Sequence, residues 1–173
     1  AAVQPGLTIG LVSLAITYIA YFIDSTLLAS GWFGLVAIVL FFVLIIYFGR
    51  QYRAELGGFM SFGTAFNFSF IAIIISGIIS IIGQILLFHV IDQSLPDVLA
   101  DASVQNTLEI MESFGANPDN MSTEQLDEMR EATRNNFTLG GEIKNFGFGL
   151  IVYAIIALIL GAILKKRDKS LDY

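Results

Sequence analysis

Residues 62–90 read FGTAFNFSFIAIIISGIISIIGQILLFHV, with no Asp, Glu, Lys or Arg among them. The hydrocarbon core of a bilayer is about 30 Å thick, and a helix crosses it in roughly 20 mostly apolar residues. This stretch is apolar enough to cross and longer than one crossing needs. Its first third (Phe62, Gly63, Ala65, Asn67, Ser69) is smaller and more polar than the rest. The pattern predicts an interfacial lead-in followed by a tilted helix, with tilt or kinking absorbing the excess length.

The same test, moved outward, finds three more crossings. No charged residue precedes Asp24, none lies from Ser25 to Gly49, and none lies from Asn145 to Leu164. The expected spans are about 6–23, 32–48, 62–90 and 146–164. Composition agrees: 55% of the 173 residues are hydrophobic and 14% are charged, whereas soluble domains carry about 25% charged residues. The expected fold class is all-α: a polytopic, four-transmembrane-helix bundle with an acidic helical hairpin outside the membrane. Residues 1–91 supply three spans, 92–145 the hairpin loop, and 146–173 the fourth span with a basic tail. The first 23 residues lack the basic region of a signal peptide and read as a retained span.

Basic residues set the expected orientation. Arg50 and Arg53 follow the second span, and Lys165, Lys166, Arg167 and Lys169 follow the fourth. The long connection holds only Arg130, Arg134 and Lys144. Because Lys and Arg concentrate on the cytoplasmic side, both termini are expected in the cytoplasm and the 92–145 loop outside.

Between Asp92 and Arg134 that loop carries ten acidic residues and two basic ones. Leu95, Val98, Leu99, Ala102, Leu108 and Met111 recur at helical spacing, Gly115 reads as a C-cap, and Asn117 to Asn120 as a turn. Ser122 with Gln125 has the spacing of a capping box. A second helix follows, with Leu126, Met129 and Thr133 as a thin apolar stripe. Asp127–Arg130 and Glu131–Arg134 are expected as local ion pairs.

The order of these features resembles the bacterial membrane family known as domain of unknown function 4199, frequent in Bacteroidota. Two spans are followed by Tyr52-Arg53, Gly57-Gly58 and the block Ser61-Phe62-Gly63-x-Ala65-Phe66. An acidic, Met-containing loop (Glu109 to Met111, Met121, Glu124 to Met129) and a last span ended by basic residues complete it. The resemblance implies a four-span bundle in a bacterial inner membrane, which would make the 92–145 loop periplasmic. It implies no reaction.

Chemistry-bearing groups are few. No charged residue lies mid-span, where proton relays and ion-coupled transporters usually need one. Asn67, Ser69, Ser76, Ser80 and Gln84 remain. Ser76, Gly77, Ser80, Gly83 and Gln84 share a stripe that suits close helix packing or a polar path along the third span. We favour packing. Gly6 and Gly10 form a GxxxG that suits a dimer or subunit contact or, as we favour, packing within the chain, and Gly147 and Gly149 with Ala157 and Gly161 make the same argument for the fourth span. His89 precedes Asp92 by one turn and reads as an interfacial histidine capped by that carboxylate. Leu56-Gly57-Gly58 and Leu139-Gly140-Gly141 are alike, and each is followed by a Phe-Gly pair, but we read coincidence rather than an inverted repeat.

No cofactor is expected: one His and no Cys leave no closed metal site, and no enzyme motif occurs. A net charge of −6 argues against a nucleic-acid partner. The expected partners are the lipid bilayer and other membrane-protein subunits, a hetero-complex being favoured over a homo-oligomer. The function expected is a non-enzymatic accessory or scaffold subunit of an inner-membrane complex. The alternative is a small oligomeric channel or transporter.

Overall fold

The computed structural model describes residues 1–167, so Lys169 of the basic tail lies outside the described residues. Six α-helices follow one another: α1 (Val3–Ile23), α2 (Gly31–Glu55), α3 (Phe62–Leu86), α4 (Leu95–Ser113), α5 (Thr123–Asn136) and α6 (Leu139–Leu164). A 3₁₀ turn at Ser25–Ala29 links α1 to α2, and another at Pro118–Asn120 lies between α4 and α5. α1, α2, α6 and α3 with its continuation to Ile91 are long and apolar enough to cross a membrane. The chain is therefore an all-α, multi-pass membrane protein.

Several boundaries differ from expectation. α2 runs on through Arg50 and Arg53 to Glu55, and α6 starts at Leu139, ahead of the charge-free run. The expected lead-in to the third span is not a separate element. Ser61 caps α3 by accepting the Thr64 N–H at 3.1 Å, and the helix then runs unbroken from Phe62. Phe62, Phe66 and Phe70 stack along one face, with ring centroids 6.5 and 5.6 Å apart. Beyond Leu86 the helix widens into a π turn, Leu87–Ile91, closed by the Asp92 N–H on the Leu87 carbonyl at 2.8 Å.

α2 ends where glycine permits it. Gly57 and Gly58 have φ of 85° and 88°, and their N–H groups bond the Ala54 and Arg53 carbonyls. This is a Schellman closure, which side-chain-bearing residues resist. Gly115, φ 83°, closes α4 in the same way through the Glu112 and Met111 carbonyls. Gly140 and Gly141 instead lie inside the first turn of α6, and neither has positive φ. The two Leu-Gly-Gly copies thus do different work, which agrees with coincidence.

The chain divides into two compact units, and each long helix supplies residues to both. The first holds residues 1–14, 37–80 and the chain from 146. Its core gathers Ile9, Ile45, Met60, Ala65, Phe68, Ala72, Ile73, Ala157, Leu160 and Leu164. Tyr52 stacks on Phe68, centroids 5.1 Å apart. Met60 and Lys166 exchange backbone hydrogen bonds of 2.9 and 2.8 Å, and Arg53 Nη1 donates to the Leu164 carbonyl at 3.1 Å. A cation on a terminal helix carbonyl satisfies an orphan acceptor and complements the dipole.

The second unit holds residues 15–36 and 81–145. Leu87, Phe88, Leu95 and Leu99 form its core, flanked by Tyr18, Tyr21, Leu28, Val98 and Phe137. Here α4 packs on α5 and on the Ser25–Ala29 turn. The capping box is present: Ser122 Oγ accepts the Gln125 N–H at 3.2 Å, and Gln125 Oε1 accepts the Ser122 N–H at 2.9 Å. The expected local ion pairs do not form. Arg130 reaches across to Asp101 through Nε at 2.5 Å and Nη2 at 2.9 Å, and Arg134 reaches Asp97 at 2.5 Å. Four residues back on α4 match four forward on α5, so the helices run antiparallel and the pairs brace them. The Arg130–Asp101 pair is two-pronged, a stronger geometry than a single-point contact.

Candidate functional site

Two sets of contacts contain several of the polar and small residues that the sequence singles out. In the first unit they form close helix contacts. A Cβ on Gly6 would lie 2.9 Å from the Ala72 carbonyl oxygen and from Ile75 Cβ, and one on Gly10 would lie 2.9 Å from Ile79 Cβ. The GxxxG of α1 is thus occupied by α3 of the same chain. Gly77 faces Phe146 and Tyr153, and Gly161 faces Phe62 and Phe66. Gly49, which the sequence reading passed over, seats the Leu164 side chain so closely that a Cβ would collide with it. A single glycine between Phe48 and Arg50 gives no signal of its own. Lipid offers no hydrophobic drive between helices, so close contacts of this kind carry the association.

The α3 stripe divides. Ser69 and Ser76 are buried, Ser80 and Gln84 half-buried, and Asn67 exposed. Ser69 Oγ has no hydrogen-bond partner. In the second unit Gly83 serves through its backbone, its carbonyl accepting the Tyr18 hydroxyl at 2.9 Å.

The second unit also holds the densest polar network. Tyr21 donates to Asp92 Oδ2 at 3.1 Å, while Asp92 Oδ1 accepts from Ser94 N–H at 3.1 Å and Ser94 Oγ at 2.6 Å. The Ser94 hydroxyl does most to hold the Asp92 carboxyl below its ordinary range. Burial opposes it, and the Tyr21 hydroxyl and the Ser94 and Leu95 N–H groups add to it. The expected His89–Asp92 pair is therefore absent, because Tyr21 and Ser94 already occupy the carboxylate. His89 Nε2 is buried and has no partner. π turns in α-helices often mark functional positions, and this one carries His89 and ends at Asp92.

Asp24 caps the neighbouring 3₁₀ turn, accepting from Thr26 Oγ1 at 2.7 Å and Thr26 N–H at 2.9 Å. Both bonds, the hydroxyl's first, hold its carboxyl low. Asn106 Nδ2 donates to the Ala29 carbonyl at 2.9 Å and ties α4 to that turn. Beside this bond lies an open cleft of about 340 Å³, lined by Thr26, Leu27, Ser30, Ala102, Gln105, Asn106 and Glu109. No group of three metal-ligating side chains occurs among the described residues. The arrangement offers hydrogen-bonding and apolar surface for docking.

Residues 4–166 match the family described as Protein of unknown function (DUF4199). The chain belongs to that family. The matched stretch takes in both contact sets, from Gly6 to Lys166. No curated protein and no solved structure matches this DUF4199 chain.

Proposed function

We propose that this DUF4199 protein is a non-enzymatic accessory or scaffold subunit of a larger complex in a bacterial inner membrane. Both termini lie in the cytoplasm in this reading, and the α4–α5 hairpin is periplasmic. The observation that carries it is the uneven use of the long helices. In the most apolar window of α2 only 6% is buried, against 22% to 28% in the other three. α2 buries Ile45 and Gly49 alone, and Trp32, Leu35, Val36, Ile38, Val39, Val43 and Tyr47 are exposed. Gly6, Gly10, Gly49, Gly77 and Gly161 are filled from within, whereas α2 buries the least of the four and keeps Gly34 open.

The chain has no cysteine, so a single Cys at Val39 or Val43 is a unique cross-linking handle. In native membranes such a handle is expected to capture one companion protein in fixed stoichiometry. Native mass spectrometry after mild solubilisation should find the same companion. A chain that always travels alone would sink the reading. A homo-oligomer alone would replace it with the oligomeric channel.

A further inference from the structure

Glu142 stands in the first turn of α6, just before the charge-free run that begins at Asn145. It is 6% exposed, and neither carboxylate oxygen has a hydrogen-bond partner. Nothing in the network of Asp92 or in the ion pairs of the hairpin uses it.

Its backbone is fixed by a tight joint between α5 and α6. Thr138 Oγ1 donates to the Asn135 carbonyl at 2.7 Å and accepts the Gly141 N–H at 3.1 Å, and the Glu142 N–H bonds the Thr138 carbonyl at 2.8 Å. A Cβ on Gly141 would collide with the Asn135 carbonyl oxygen, so only glycine allows this approach. Phe137 meets Phe88 edge-on, centroids 5.7 Å apart.

The charged groups on the elements that meet here are otherwise placed. Lys144 is exposed, Arg134 is paired with Asp97, and Asp92 is held by Tyr21 and Ser94. His89 has its own buried, unpartnered Nε2. A helix N-terminus favours a carboxylate, but by far less than burial of an unpaired ion disfavours it. The neutral acid is the form this site accepts.

We propose that Glu142 is a proton-binding site. The closed α5–α6 joint holds the proton, and losing it opens the joint. The sign follows from linkage. The closed state keeps a proton that the open state releases, so stability is full below the ordinary glutamate range and is lost as pH rises above it. Above about pH 4.3, opening should rise about tenfold per pH unit, then level off once the closed carboxyl itself ionises.

The test is hydrogen exchange across residues 137–145, with the whole chain in lipid nanodiscs, corrected for intrinsic rates, over about pH 4.5 to 9. The parent should show the rise and plateau. Glu142→Gln, a neutral isostere, should be flat. A flat parent overturns the proposal, and so does the same slope in Glu142→Gln. Dicyclohexylcarbodiimide, which attacks protonated carboxyls in apolar surroundings, supplies a second readout. At neutral pH it should modify Glu142 at least about tenfold more than the exposed Glu109 and Glu124. Protection by added sodium or calcium at constant pH would overturn the proposal in favour of a metal-cation site.

Discussion

The two units of this chain are held by different physics. In the first, glycines at 6, 10, 49, 77 and 161 accept Ile, Leu, Phe and Tyr side chains, and the contacts are matters of shape. In the second, Tyr–Asp, Asn–carbonyl and Arg–Asp bonds join segments far apart in sequence. The difference fits the expectation that the spans face lipid and the 92–145 loop faces water. Where neighbours are lipid, exclusion from water does not select one helix partner over another, and fit must. Where water competes, directed polar bonds and caps set the register at modest net gain.

The comparison breaks first, and by the largest amount, at the α1–α3 contact. Gly6→Val and Gly10→Val should each cost about 1–3 kcal/mol through overpacking, read by unfolding in mixed micelles. The loss should be insensitive to salt. A loss that salt alters would show that shape is not what holds the first unit.

A smaller effect belongs to the braces of the hairpin. A double-mutant cycle on Arg130 and Asp101 should give about 0.2–1 kcal/mol, the usual range for exposed pairs. Two-point geometry places it toward the top of that range. High salt should shrink the coupling, since these side chains face solvent. A coupling unmoved by salt would blur the distinction between the units.

The smallest effect concerns acid. The Asp92 carboxyl is held low in the folded chain. Its contribution is therefore present above the ordinary aspartate range, about pH 3.9, and is lost as pH falls through the folded value. Exchange of the amides at 87–95 should accelerate in acid in the parent and lose that dependence in Asp92→Asn. Equal acid sensitivity in both would assign the effect elsewhere.

How much was legible in the sequence tracks how local each cause is. The four spans are written as charge-free runs, and the hairpin as Gly115, Ser122 and Gln125, each acting within a few residues. Gly6 and Gly10 meet Ile75 and Ile79, partners that the sequence could not name. Arg130 and Arg134 were matched to carboxylates on their own helix because the competing ones lie 29 and 37 residues away in sequence, on the facing helix. The His89–Asp92 pairing failed for the same reason: Tyr21 lies 71 residues upstream of Asp92. Nothing in the sequence marks Glu142, because burial of a first-turn carboxyl is set by tertiary packing. The π turn had no signal within an unbroken apolar run.

The bond from Arg53 to the end of α6 spans 111 residues of sequence. With the Met60–Lys166 pair, it gives the first unit a late clasp. During synthesis α1, α2 and α3 enter the membrane while the carbonyl that Arg53 will hold has not been made. The hairpin can close as soon as Asn136 has emerged, because α4 and α5 are neighbours in sequence. For the time it takes to translate α4 to α6, the glycine seats at 49 and 77 stand open to any other helix in the insertion machinery. That interval makes the order of chain emergence part of what decides which helix fills them.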